Sequence, residues 1–174
     1  DLDRLLAEVW GVSHETAQSA AVEIESWKKE LTPARLAAAD LKRGRQLFNN
    51  TCALCHQLYS DGRSVGPELT GSNRGDLDYL LRNIVDPNAD IGRDYQLVTI
   101  ETKDGRMNAG IVQRETQAAV TLVNQAESIT LSKAQIKSMQ RLDVSLMPPG
   151  LLSSLSEPDA ADLIAYLQTK GPIQ

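Results

Sequence analysis

The stretch Cys52-Ala53-Leu54-Cys55-His56 decides how this chain is interpreted. It places two thiols three residues apart, so that they share one face of a helical turn, with an imidazole directly after the second thiol. The chain contains no other cysteine. This spacing can bond a haem through two thioethers and bind the haem iron from one side. The motif therefore predicts a covalently attached haem.

Two other interpretations of the motif are open. A redox-active CxxC pair belongs in a strand–helix unit, but an amphipathic helix precedes these cysteines. A structural zinc site needs four ligands. Only His14 remains among the histidines, so zinc would have to take carboxylates as its other ligands. The motif and its surroundings favour haem over both.

The composition limits the number of domains and the classes of partner. The 174 residues fit one domain, or one domain with an insertion. Only 4% of them are aromatic, and a buried macrocycle would supply the missing apolar mass. A net charge of −5 argues against nucleic acid as a partner. No apolar run reaches the roughly 18 residues of a membrane helix and no signal segment opens the chain, which predicts a mature or excised soluble piece.

Helical periodicity and capping residues occur on both sides of the motif. Leucines at helical spacing in 2–9 predict a short first helix. Ser13 can cap a second helix that runs towards Leu31. Further helix starts are predicted at Thr32-Pro33, Asp40, Asp76 and Ser156. The helix after Asp76 is expected to end at Asp86-Pro87.

In 95–141, the spacing of apolar residues changes from the helical period to the two-residue period of strands. Lys103-Asp104-Gly105-Arg106 supplies an Asp-Gly hairpin turn, and apolar residues alternate with polar ones as in half-buried strands. Strands are predicted over 95–102, 109–114, 118–123, 128–131 and 136–142. The expected fold class is mainly α, with helices around the haem and a small antiparallel β subdomain inserted.

The haem iron needs axial ligands, and His56 would supply the first. Three methionines compete for the opposite position. Met107 follows a hairpin turn and Met139 lies in a strand pattern, so both are interpreted as packing residues. Met147 precedes two prolines that would hold its loop rigid, which favours it as the ligand. Ligation by His14 is the alternative.

Several segments resemble class I cytochromes c, and they occur in the same order. The stretch 40–48 before the motif resembles the opening helix, with Gly44 and Phe48 at matching positions. Val65-Gly66-Pro67-Glu68-Leu69-Thr70-Gly71 resembles the family's Gly-Pro-x-Leu-x-Gly loop. Met147-Pro148-Pro149 resembles the loop that carries the distal ligand. The stretch 162–167 resembles the closing helix, whose aromatic residue packs on the opening helix.

The resemblance implies one haem c, attached through Cys52 and Cys55, with His56 and Met147 as axial ligands. The backbone carbonyl of Pro67 would accept a hydrogen bond from the His56 ring. The other haem-binding positions that it implies are Phe48, Gly66 and Leu69. Gly44 would let the closing helix approach, with Tyr166 as its partner.

One departure from small cytochromes c is the strand-rich stretch between His56 and Met147. The combination of cytochrome c-like segments with an inserted strand-rich stretch is similar to the haem-binding domain of planctomycete- and verrucomicrobium-type bacteria. That domain often ends a longer chain. The predicted division is a helical segment 1–39, a haem domain of 40–94 with 142–174, and a β-rich insertion 95–141. The insertion would serve as a stabilising cap over the haem loops or as a docking surface.

The resemblance implies an electron carrier, not a catalyst, that works with redox partner proteins as a module of a larger protein or chain. The alternative is a gas sensor or peroxidase-type enzyme with a labile sixth ligand.

Export to the periplasm or cell surface is implied, because class I cytochromes c acquire haem after export. Arg63 or Arg74 would be suited to bond a haem propionate. The basic residues that would steer an acidic partner, or form a scattered solvated face, are Lys42, Arg43, Arg45, Arg63 and Arg74.

Overall fold

The computed structural model describes residues 11–13 and 16–173, with side chains from Thr16 onward. The chain divides into two compact units. The helical unit consists of Glu15–Ala89 with Pro148–Gln174, and the strand unit consists of Asp1–His14 with Asp90–Met147. The helix predicted over 2–9 and the alternative ligand His14 lie outside the described residues.

Capping side chains begin most helices of the helical unit. The helices are α1 (Gln18–Glu30), α2 (Pro33–Ala37), α3 (Leu41–Thr51), α4 (Leu77–Val85) and α5 (Glu157–Leu167). Side-chain oxygens of Thr32, Asp40, Asp76 and Ser156 accept hydrogen bonds from backbone N–H groups at the starts of α2 to α5, which satisfies donors that a helix start leaves unpaired. These four predicted starts are confirmed. Within the described residues, no helix has the length and apolar character needed to cross a membrane.

The predicted start of the second helix at Ser13 is wrong. Helix α1 begins at Gln18, and its N-cap Ala17 makes no side-chain capping bond. Ser13 instead ends a short strand, β1 (Gly11–Ser13), which pairs antiparallel with β4 (Asp90–Gly92). Pairing with a strand distant in sequence has overridden the local capping preference of serine.

Helices α3 and α5 pack closely because Gly44 presents no side chain where they meet. A Cβ atom on Gly44 would lie 2.1 Å from the Asp162 carbonyl oxygen and 2.7 Å from Tyr166 Cβ. The rings of Phe48 and Tyr166 are buried, with centroids 5.6 Å apart. An ion pair between Arg43 Nε and Asp159 Oδ1, 3.0 Å long, joins the same two helices at the surface. The predicted partnership of Gly44 with Tyr166 is confirmed.

The strand unit contains a five-stranded antiparallel sheet. Its strands are β5 (Gln96–Thr102), β6 (Met107–Glu115), β7 (Ala119–Val123), β8 (Ser128–Ser132) and β9 (Ile136–Ser145), in the order β8-β7-β6-β5-β9. The Asp104-Gly105 turn joins β5 to β6, and Gly105 has a φ of 86°, which a residue without Cβ adopts readily. The five predicted strands are confirmed, and β9 runs beyond its predicted end.

The prediction of a mainly α fold is wrong. Helix makes up 35% and strand 27% of the structure, so neither dominates. Val98, Ile100, Val120 and Leu122 are buried and form a hydrophobic cluster within the strand unit. Because the sheet packs around apolar residues of its own, it is a second packed unit and not a small addition to a helical core.

Candidate functional site

The motif forms a helical turn directly after α3. The N–H groups of Cys52 and Ala53 donate to the Phe48 carbonyl, and those of Cys55 and His56 donate to the Cys52 carbonyl. Phe48 is fully buried, so its carbonyl anchors this turn to the core of the helical unit. The turn therefore presents the two sulfurs and the imidazole from one short, fixed segment.

Both cysteines are half-buried free thiols. Burial raises the pKa of the Cys52 thiol to about 12. Cysteines that exchange disulfides work as thiolates and need a lowered pKa. The environment of Cys52 therefore counts against the redox-disulfide interpretation. Among the residues that the structure describes, no group of three or more His, Cys, Asp or Glu side chains is arranged to hold a metal ion, so the zinc interpretation has no ligand set there.

His56 is held by the backbone of the loop that follows it. Its Nδ1 lies 2.8 Å from the Pro67 carbonyl oxygen. A carbonyl only accepts, so Nδ1 carries the proton and Nε2 of the neutral ring keeps its lone pair. Burial lowers the pKa of His56, against the smaller opposing effect of the Pro67 hydrogen bond. The neutral form, which binds metals, is therefore favoured near neutral pH. The predicted hydrogen bond from His56 to Pro67 is present.

Two glycines allow the chain to pass close to His56. A Cβ atom on Gly66 would lie 2.7 Å from His56 Cε1. Gly62 has a φ of 105°, and a Cβ atom there would lie 2.0 Å from the His56 carbonyl oxygen. Gly62 was not identified from the sequence, although the Asp61-Gly62 pair is a hairpin-turn signal that marks it. It ends β3 (Asp61–Gly62), which pairs with β2 (Gln57–Leu58).

The loop that carries Pro67 is hydrogen-bonded to the motif at both ends. The N–H groups of Val65 and Gly66 donate to the Cys55 carbonyl, at 2.9 and 2.8 Å. The Leu69 N–H donates to the Gln57 carbonyl at 2.8 Å. The Leu69 side chain is half-buried and packs against the helical core. The helical unit thus brings together seven of the predicted site residues, which are Phe48, Cys52, Cys55, His56, Gly66, Pro67 and Leu69.

The eighth predicted residue, Met147, belongs to the strand unit and follows β9. Its side chain is half-buried, and its N–H donates to the Ser145 hydroxyl at 3.1 Å. Met107 on β6 and Met139 on β9 are exposed, at 66% and 37%. Of the three methionines, Met147 is thus the most shielded from solvent.

The basic residues near the motif are mostly engaged with other parts of the helical unit. Arg43 is paired with Asp159, and Arg45 with Asp61 at 2.7 Å. Arg74 is buried, and four of its N–H donors are bonded to backbone carbonyls. The expected propionate contact of Arg74 is therefore not supported.

A comparison with protein families decides the class of this chain. The family model described as Cytochrome c matches residues 41–170, which is most of the chain. The chain belongs to the cytochrome c family. A comparison with curated proteins found no match.

Membership in the cytochrome c family implies a covalently bound haem c, and cytochromes c of this kind are typically exported. The residues present fit that group. Two free thiols lie on one helical turn, and the adjacent imidazole is fixed through Nδ1 so that Nε2 is free to bind a metal. The half-buried apolar surface of Leu69 lies on the loop that fixes this imidazole.

Proposed function

We propose that this cytochrome c domain carries single electrons between redox partner proteins. The observation that carries the proposal is the 2.8 Å hydrogen bond between His56 Nδ1 and the Pro67 carbonyl, beside the free thiols Cys52 and Cys55. This bond fixes the imidazole in one orientation. An axial ligand held in place suits electron transfer, because little rearrangement accompanies a change of oxidation state.

Under this proposal, Cys52 and Cys55 would hold one haem c through thioether bonds, and His56 would bind its iron through Nε2. When bound, the haem supplies one-electron exchange at its iron. The Phe48 carbonyl holds the turn that carries both sulfurs. The backbone of Gly66 passes so close to the His56 ring that it leaves no room there for a Cβ atom.

Met147 is proposed as the second residue that would bind the iron. Its half-buried side chain and the hydrogen bond from its N–H to Ser145 support this role. A thioether ligand is best kept from water, because solvent access changes the properties of a metal site. The exposed side chains of Met107 and Met139 fit that requirement less well.

Replacement of Met147 by alanine is expected to abolish the near-infrared sulfur-to-iron charge-transfer band of the oxidised protein, because no thioether ligand remains. Met107→Ala and Met139→Ala are the matched controls and are expected to keep the band. The measurement is an optical spectrum of each oxidised variant. Persistence of the band in Met147→Ala would assign the ligand to another residue.

Carbon monoxide distinguishes electron transfer from the gas-sensor or peroxidase alternative. The reduced wild-type protein is expected to bind it slowly or not at all, because His56 and Met147 would both bind the iron. Reduced Met147→Ala is expected to bind carbon monoxide promptly, and it serves as the reference for an iron with an open coordination position. Prompt, stoichiometric binding by the wild type would favour the alternative function.

Gly66→Ala is expected to displace the His56 ring. The added methyl group would lie 2.7 Å from Cε1 and 3.0 Å from Nδ1, so the hydrogen bond to Pro67 must lengthen. Loss of such a supporting bond typically costs about 10–100-fold in metal affinity or activity. In a denaturation series with guanidinium chloride, the midpoint concentration at which the spectrum of the His-ligated protein is lost should therefore fall. Gly71→Ala is the control, since no atom lies within 4 Å of its added Cβ; equal midpoints for the two variants would contradict the prediction.

We further infer that the domain is of the planctomycete and verrucomicrobium type and works in the periplasm or at the cell surface, as a module of a larger redox protein. The strand-rich stretch between His56 and Met147 supports this narrower assignment. The proposed organisation keeps 1–39 as an N-terminal segment, 40–94 with 142–174 as the haem domain, and 95–141 as an insertion. The insertion would act as a cap over the haem loops or as a docking surface for a redox partner.

A further inference from the structure

Arg74 joins the loop after His56 to the end of α5. The residue is 7% exposed. Its Nε donates to the Leu69 carbonyl at 2.7 Å, and its Nη2 donates to the Thr70 carbonyl at 3.1 Å. Its Nη1 donates to the carbonyls of Leu167 and Thr169, the latter at 2.9 Å. A guanidinium can hold several carbonyls at once, because its N–H donors lie in one rigid plane.

Tyr59 makes a second connection between the same two segments. Its hydroxyl donates to the Thr169 carbonyl at 2.6 Å, and its N–H donates to the Thr70 hydroxyl at 2.7 Å. The Arg74 guanidinium carbon lies 5.4 Å from the centre of the Tyr59 ring. Tyr59 has a φ of 58°, a strained value for a bulky residue. Such strain persists only where surrounding contacts over-determine the backbone.

The segments held by Arg74 and Tyr59 adjoin the carbonyl that orients His56. Pro67 lies between Gly66, whose N–H is bonded to Cys55, and Leu69, whose N–H is bonded to Gln57. Arg74 Nε donates to the carbonyl of the same Leu69. The position of the Pro67 carbonyl therefore depends on bonds that reach the C-terminal end of α5.

We propose that Arg74 and Tyr59 are positioning residues that hold the Pro67 carbonyl against the His56 ring and couple the ring's orientation to the residues after α5. The proposal rests on the proposed function in taking His56 as the iron ligand. Neither residue is proposed to touch the metal. Arg74 acts through the Leu69 and Thr70 carbonyls, and Tyr59 acts through Thr70 and Thr169.

The test compares Arg74→Met, Tyr59→Phe and Arg43→Met in the matured, haem-carrying protein. Arg43→Met is the charge-matched control, because it removes one positive charge from the same unit but only a surface ion pair. Hydrogen exchange is measured for the His56 ring N–H and for the backbone amides of Val65, Gly66 and 68–70, since Pro67 has no N–H. Both Arg74→Met and Tyr59→Phe are expected to accelerate these exchanges by about tenfold or more, while the amides of α3 keep wild-type rates.

The reduction potential supplies a readout that a purely structural role would not move. A weaker hydrogen bond to Pro67 makes the imidazole a poorer donor and destabilises the oxidised iron. Tyr59→Phe, which changes no charge, is therefore expected to raise the potential. Arg43→Met is expected to lower it slightly, through the lost positive charge alone. Arg74→Lys is expected to restore part of the wild-type exchange protection.

Two results would overturn the proposal. One is ring and loop exchange in Tyr59→Phe and Arg74→Met within about twofold of wild type. The other is equal acceleration of the loop, α3 and α5, which would mean general destabilisation. If Arg74→Met fails to accumulate, Tyr59→Phe and Arg74→Lys decide between the outcomes. A wild-type chain that carries no haem by mass would refute the proposed function instead, and amide exchange in 65–70 would still test the role of Arg74.

Discussion

The double variant Cys52→Ser, Cys55→Ser is expected to carry no covalent haem after export in a host that attaches haem to CxxCH motifs. A serine hydroxyl cannot form the thioether bond through which each cysteine would hold the haem. Both thiols are free in the structure and lie on one helical turn, so neither has a competing covalent partner. The measurement is the mass of the denatured polypeptide, in which only covalently bound haem remains.

Leu54→Ser is the matched control for this experiment. Leu54 stands between the two cysteines and is 49% exposed, so its replacement adds a hydroxyl to the same turn without removing a thiol. This variant is expected to keep the mass of one haem, as is the wild type. A wild-type chain at the mass of the bare polypeptide would remove the basis of the proposed function, and haem retained by the double variant would show attachment elsewhere.

Local chemistry allowed much of the helical unit to be predicted from sequence. The caps at Asp40, Asp76 and Ser156 are short-range interactions, and each begins a helix as expected. The bond from His56 to Pro67 spans only 11 residues, and family resemblance identified it. The Asp104-Gly105 turn is equally local and joins two predicted strands. In each case, the interacting residues lie within one short stretch of the chain.

Family resemblance identified the contact of Gly44 with Tyr166, but several other features that depend on distant partners were not predicted. Ser13 favours a helix start locally, but pairing with Asp90 places it in a strand. The role of Arg74 depends on Leu167 and Thr169, more than 90 residues away along the chain. The share of the fold that the sheet makes up was underestimated for a similar reason. Alternating residues predict individual strands, whereas the order β8-β7-β6-β5-β9 and its buried cluster arise only when the strands assemble.

Gly44→Ala is expected to destabilise the helical unit, although alanine is the better helix former. Inside a helix, the exchange of glycine for alanine by itself gains about 1 kcal/mol. The added Cβ would however lie 2.1 Å from the Asp162 carbonyl oxygen. That atom belongs to the backbone of α5, so the contact is relieved only by moving one helix relative to the other. Overpacking of this kind typically costs about 1–3 kcal/mol and sometimes more.

The steric cost should exceed the gain in helix propensity, because the helix movement also disturbs the buried contact between Phe48 and Tyr166. We expect a net loss of about 2 kcal/mol in the free energy of unfolding, or a fall of about 4–8 °C in Tm, measured by thermal unfolding of the haem-carrying protein. Gly75→Ala is the control, because nothing lies within 4 Å of a Cβ atom there. A Gly44→Ala variant as stable as Gly75→Ala or the wild type would mean that α3 and α5 separate without loss of packing. The close approach of these helices would then not be what requires glycine at this position.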